Sequence, residues 1–122
     1  MTRYLSVEDV LYAQSKAIEK WGGRSGLRDP NALASAVGRL QTGYYQDIVE
    51  EAAALFESLS QNHPFLDGNK RTAIACTVVF LTINGYQVLF DDLEAYSFLS
   101  SLYETGQITK AAIEAWLRTK TR

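Results

Sequence analysis

The sequence predicts an all-α fold, a compact bundle of about six helices in which a central, buried helix follows a short polar loop. Three observations predict it. Apolar residues recur at helical spacing along most of the chain. The stretches that carry them open on residues that favour helix N-caps, namely Ser6, Asp29, Asp47, Asp91 and Thr109. One run, Asn69 to Asn84, is apolar on nearly every side, as expected of a helix enclosed by others.

Ser6 with Asp9 three residues later resembles a capping box, and Val7, Val10, Leu11, Gln14, Ala17, Ile18 and Trp21 follow mostly at helical spacing until Gly22-Gly23 ends the run. Arg24 to Arg28 is polar and glycine-bearing, a loop. Asp29-Pro30 supplies a cap and a proline at the first helical position, and Leu33, Val37 and Leu40 form the buried stripe of a second helix. Thr42 to Gln46 connects it to a third, opened by Asp47, with Ile48, Val49, Ala52, Leu55, Phe56 and Leu59, which stops before Pro64. From Asn69 the β-branched run Thr77 to Ile83 and the Asn84-Gly85 pair also fit a hairpin continuing through Tyr86, Val88 and Phe90. The segment is long for a strand and lacks clean alternation, and Asn-Gly ends helices as readily, so a helix is expected. Asp91-Asp92 opens a fifth helix (Leu93, Tyr96, Leu99, Leu102, Tyr103) closed by Gly106, and Thr109 a sixth (Ala112, Ile113, Trp116, Leu117).

With 122 residues and 47% hydrophobic content, one domain spanning 1–122 with a core independent of disulfides is expected. Cys76 is the only cysteine, so no internal disulfide and no Cys/His zinc cluster can form; an inert buried thiol is expected. No apolar run is long enough for a signal peptide or a membrane span, and a cytoplasmic location is expected. The 14 acidic and 12 basic residues give a net charge of -2, which argues against a broad nucleic-acid-binding face.

The chemistry concentrates in one place. His63, Asp67, Asn69, Lys70 and Arg71, with Gly68 among them, fall within nine consecutive positions between two apolar helices. If Asn69 to Arg71 form the first helical turn, their free N–H groups and the positive end of the helix dipole make an anion site, for which phosphate is the natural guest. Lys70 and Arg71 add matching charge, and Gly68 would let the backbone approach the anion without a Cβ in the way. His63, the only histidine, belongs to the residue type suited to moving a proton near neutral pH and is the candidate base for an attacking hydroxyl. Asp67 offers a hard carboxylate oxygen for Mg²⁺, an ion that takes one or two carboxylates and completes its shell with water and phosphates. Taken singly, each has a plainer reading: a loop histidine usually packs or caps, and Asp-Gly-Asn is a common turn.

Together, His63-Pro64-Phe65-Leu66-Asp67-Gly68-Asn69-Lys70-Arg71 resembles the signature of the Fic/Doc family. Typical Fic adenylyltransferases carry His-Pro-Phe-x-Asp/Glu-Gly-Asn-Gly-Arg-x-x-Arg; here Lys70 replaces the second glycine and Ile74 the last arginine. Both departures resemble the Doc, or death-on-curing, branch. Trp21-Gly22-Gly23, Arg28 to Leu33 and the helix order extend the resemblance over most of the chain. It implies a helical Fic fold and a toxin of a toxin-antitoxin system that uses ATP and Mg²⁺. The toxin would phosphorylate a threonine of elongation factor Tu and so block translation, and a Phd-like antitoxin would silence it by docking its C-terminal segment in a groove. It further implies His63 as base, Asp67 as metal ligand, and Gly68, Asn69, Lys70 and Arg71 as nucleotide contacts; Phe65, an apolar residue within the loop, is expected to anchor it in the core. Lys20 stands where Doc proteins have a basic residue near the entrance, although an exposed helix-end lysine is the stronger reading, and Tyr44 and Tyr45 stand where relatives carry a target-positioning flap, with ordinary surface aromatics packing on a helix as the plainer alternative. Ser15 to Glu19 lacks the last position of the self-inhibitory Ser/Thr-x-x-x-Glu-Gly/Asn pattern, which favours inhibition in trans. The alternatives are AMP transfer to a protein hydroxyl, a Fic-fold module without turnover, and a purely structural helical domain.

Overall fold

A computed structural model describes all 122 residues. Its helices are α1 (Val7–Trp21), α2 (Pro30–Arg39), α3 (Ile48–Gln61), α4 (Asn69–Ile83), α5 (Asp92–Glu104) and α6 (Lys110–Thr119), with a single 3₁₀ turn, Leu40–Thr42, after α2. There is no strand; two isolated bridges, Leu27 with Phe65 and Val88 with Thr121, are the only β-like pairings. The all-α expectation therefore holds.

The expected caps form. Ser6 and Asp9 make a reciprocal capping box, and the side chains of Asp29, Asp47, Asp91 and Thr109 each accept an N–H from the first turn of their helix. Such a bond satisfies an N–H that the helix itself leaves without a partner. The second helix is shorter than its apolar stripe implied, because Leu40 sits in the 3₁₀ turn while remaining buried.

Two helices share the centre. α3 packs against α2, α4 and α6, and α4 packs against α1, α3 and α5. Every residue from Glu51 to Phe56 is buried, so α3 is enclosed more completely than α4, where Val79 is 46% exposed. The expected central helix is thus half of a central pair, with one flank of α4 open toward α1. Glu51 is held in the core by the Tyr4 hydroxyl, which donates to its carboxylate at 2.8 Å. On α5 the core face is Ala95 and Leu99, whereas Leu93, placed in the apolar stripe by its spacing, is 71% exposed.

The hairpin alternative contains a part of the answer. Residues after Asn84-Gly85 do run extended, but Gln87 and Leu89 pair with Arg122 and Lys120 and not with α4. Asn84 ends α4 and bonds Arg3 through both its side-chain groups (2.8 and 2.9 Å), tying α4 to the segment before α1. No helix is long and apolar enough to cross a membrane.

Asp47 carries a second duty besides capping α3: Arg118 of α6 donates two hydrogen bonds to its carboxylate, each 3.1 Å. Those bonds, followed by the backbone N–H of Glu50, lower its pKa below the usual carboxylate range. A carboxyl with a depressed folded-state pKa stabilises the fold above its unfolded value and loses that contribution as pH falls through the folded one. Asp47→Asn, which keeps a capping oxygen, is expected to make the acid-side loss of stability shallower. Denaturant unfolding at about pH 3 and about pH 6 measures it.

Candidate active site

Two loops build the site, and backbone bonds fasten them together. The N–H groups of Arg28 and Asp29 both donate to the carbonyl of Pro64 (2.8 and 3.0 Å), and that of Leu66 donates to Gly26 (3.0 Å). The Arg28 guanidinium donates to the carbonyls of His63 (2.6 Å) and Asn62 (2.8 Å). Phe65, 1% exposed, plugs the loop into the core as expected. Its N–H and C=O are both bonded by the side chain of Asn69, at 3.0 and 3.1 Å. That amide is committed to holding the loop, so what Asn69 can offer a ligand is its backbone N–H.

The loop delivers a helix end with open donors. The first bond of α4 runs from Thr72 N–H to Gly68 O, and no side chain caps the end. The N–H groups of Asn69, Lys70 and Arg71 therefore point outward at the positive end of a 15-residue helix, the geometry an anion requires. Gly68 is needed here for a reason other than the one its sequence suggested. Its φ of 73° lies in the left-handed region, and a Cβ would meet Ile18 Cδ1 at 3.2 Å, on the α1 side of the loop.

Asp67 is fixed from three sides. Its carboxylate accepts the N–H of Arg24 at 3.2 Å and that of Gly68 at 3.0 Å, and its own carbonyl accepts from Gln14 Nε2 at 3.2 Å. A Cβ on Gly23 would come within 2.6 Å of Asp67 Oδ2, so the second glycine of the Gly22-Gly23 pair clears the space in which this carboxylate lies. No group of three His, Cys, Asp or Glu side chains is placed so that it could hold a metal ion. The lone oriented carboxylate of Asp67 fits an ion such as Mg²⁺ that draws the rest of its shell from water and phosphate, and the neighbouring helix N–H groups suit the phosphate itself.

His63 precedes the buried Pro64-Phe65 pair and is itself exposed, at a left-handed φ of 50°. That conformation is uncommon for a non-glycine residue, though histidine is among those enriched there, and such backbone is held only where its surroundings over-determine it. Arg28 on its carbonyl and Pro64 after it do so, leaving the imidazole free of intramolecular hydrogen bonds.

A cavity of about 450 Å³ is lined by His63, Asp67, Gly68, Asn69, Lys70 and Arg71, so all six residues singled out from sequence meet in one space. The two cations are held by aromatic faces: Lys70 Nζ lies 4.2 Å from the Tyr103 ring centroid, and Arg71 Cζ lies 3.9 Å from that of Trp21 and 4.0 Å from that of Tyr96. Ile74 is 2% exposed, so the position of the last Fic arginine is part of the core. A larger cavity, about 600 Å³, lies elsewhere, along the open flank of α4 against α1; Tyr12, Ala17, Trp21, Ile74 and Val79 line it, and Arg71 and Trp21 border both spaces. Its lining is mostly apolar, whereas the smaller one gathers the polar and charged residues of the loop.

Gln14, Gly23, Arg28, Tyr96 and Tyr103 were assigned no part in the site by sequence. Gln14 left a signal, a polar residue on the apolar stripe of α1, and it is 2% exposed. Lys20 lies over Trp21 at the end of α1, 4.9 Å from the ring, on the edge of the larger cavity. Tyr44 is 81% exposed, and Tyr45 packs edge-on to it and bonds Arg39 through its hydroxyl. Burial pushes the Cys76 thiol up to about 12, which leaves it protonated and unreactive, as expected.

Comparison with known proteins agrees with the geometry. The model of the Fic/DOC family matches residues 4–81. Toxin Doc of Mycolicibacterium smegmatis is 48% identical over 96 residues, 75% of this chain and 72% of the relative. Protein kinase doc of Escherichia phage P1 is 32% identical over 120 residues, 95% of this chain and 94% of the relative. With its helical fold, its loop and these relatives, the chain belongs to the Fic/DOC family, in the Doc toxin branch.

Proposed function

We propose that the chain is the toxin of a toxin-antitoxin pair and a phosphotransferase that moves the γ-phosphoryl group of ATP to a protein hydroxyl, with a threonine of elongation factor Tu as its target in the cytoplasm. The observation that carries the reading is the convergence of His63, Asp67 and the open N-terminus of α4 in one cavity. His63 would take the proton of the attacking hydroxyl as its oxygen bonds to the γ-phosphorus and the bond to the β-bridging oxygen breaks, releasing ADP. The N–H groups of residues 69–71 and the side chains of Lys70 and Arg71 would hold the phosphates, and Gly68 the turn that presents them. Asp67 would hold Mg²⁺, which when bound neutralises charge on the phosphate oxygens.

Transfer of phosphate is favoured over transfer of AMP by two positions. Lys70 adds a cation where Fic enzymes have glycine, and the buried Ile74 leaves no cation where they have the last arginine. The name of the phage P1 relative, a protein kinase, supports the same choice. Purified protein incubated with elongation factor Tu and ATP labelled at the α- or the γ-phosphate is expected to transfer only the γ-label, and His63→Ala to transfer it at least about a hundredfold more slowly. Label arriving from the α-position overturns the kinase reading, and no label on elongation factor Tu overturns the target.

The groove between α1 and α4 suits the amphipathic tail of a Phd-like antitoxin: an apolar floor with Lys16 and Lys20 on its α1 wall. Such a tail would lie against Trp21 and Arg71, next to the site it silences.

A further inference from the structure

The two cations of the loop are bound in an unusual manner. Neither Lys70 nor Arg71 joins any of the ion pairs of the chain, although acidic residues outnumber basic ones. Instead Arg71 lies between the faces of Trp21, from the end of α1, and Tyr96, from α5, while Lys70 lies over Tyr103 at 4.2 Å and more distantly over Tyr96 at 5.9 Å. Side chains from two helices distant in sequence thus close on one guanidinium.

A carboxylate in place of either ring would fix the arginine equally well, but it would neutralise the charge and occupy the in-plane N–H donors. Aromatic faces do neither. They attract the cation through the ring quadrupole, restrict the side chain to the plane between them, and leave all five N–H groups of the guanidinium edge available to an anion. The edge of the stack opens into the same cavity as the free N–H groups of α4.

We propose that Trp21 and Tyr96 are positioning residues that hold Arg71 charged, oriented and unpaired for the phosphates of the nucleotide. The inference rests on the reading that Arg71 contacts those phosphates. Holding the side chain in place before binding removes rotamer entropy that would otherwise be lost on binding, so the benefit falls on nucleotide affinity. Trp21 is 49% exposed, so its truncation spares the core, whereas Tyr96 packs half-buried against the core edge, and Tyr96→Phe keeps that packing.

The test is a binding titration with ATP and Mg²⁺ on the wild type, Trp21→Leu, Tyr96→Leu, Tyr96→Phe, Arg71→Ala and the double variant Arg71→Ala/Tyr96→Leu. Each leucine variant is expected to bind ATP between about twofold and tenfold more weakly, the cost of ordering one long side chain on binding. Tyr96→Phe, which keeps the ring, is expected to bind as the wild type does. The double variant should bind no more weakly than Arg71→Ala alone, because a ring that acts only through the arginine has no effect once it is gone. Leucine variants that bind normally, or a ring effect that persists without Arg71, overturn the clamp while leaving the phosphate contact standing. Wild-type binding by Arg71→Ala overturns the phosphate contact, and the clamp with it.

Discussion

His63→Ala is expected to lower transfer by about a hundred- to ten-thousandfold, the range in which a general base contributes, and to abolish growth arrest on expression. Thermal stability should hardly change. The imidazole makes no hydrogen bond within the chain, and the contact that fixes this residue runs from Arg28 to its backbone carbonyl, which alanine keeps. His63→Asn is a useful companion, since asparagine accepts the left-handed backbone found at this position (φ 50°). Loss of activity in both variants with unchanged melting isolates the imidazole as the cause. Full activity in either removes His63 as the base.

Phe65→Ala is expected to show the reverse signature, a fall in stability of about 3–5 kcal/mol and in melting temperature of about 10–20 °C. The ring is 1% exposed, and the loop around it is stitched to residues 26–29 and to the Asn69 side chain, so little of the surroundings can collapse into the space left behind. Scanning calorimetry measures the loss. Activity assayed well below the lowered transition should fall as well, because the same ring sets the height of the loop that carries His63 and Asp67. A change in melting of only a degree or two would show that the loop is held by its backbone bonds alone.

What was legible in the sequence was local. A helix cap involves residues three apart, so Ser6, Asp29, Asp47, Asp91 and Thr109 could be identified without knowing the fold. The loop from His63 to Arg71 was legible for the same reason, as its chemistry lies within nine consecutive residues. Its supports were not. Gly23 reads as a helix terminator until Asp67 is seen lying where its Cβ would be, and Arg28 as a loop cation until its partners prove to be carbonyls more than thirty positions later. Tyr96 and Tyr103 fit an apolar stripe by spacing, yet they face Lys70 and Arg71 at the edge of the core. Leu93 fits the same stripe and is exposed, since periodicity records which residues share a face and not which face is covered.

Asn69 lines the cavity with the other residues of the motif, yet its side chain is turned to the loop and not to the open helix end. Its amide serves the loop and its N–H serves the helix end, a division visible only once the backbone of Phe65 is in place. Gly68 likewise belongs where the motif puts it, but its missing Cβ makes room for Ile18 and its left-handed turn starts α4.

The single cysteine gives this chain a built-in clock. Cys76 sits on α4, 2% exposed, in the lining of the groove that runs along α1, so a reagent that approaches its sulfur from that side must enter the groove. The pace at which an aromatic disulfide reagent modifies it therefore reports access through the α1–α4 groove, with no engineered probe. A peptide seated in the groove would slow that pace, whereas a nucleotide at the neighbouring loop need not, so one thiol distinguishes occupancy of the two spaces that Arg71 joins.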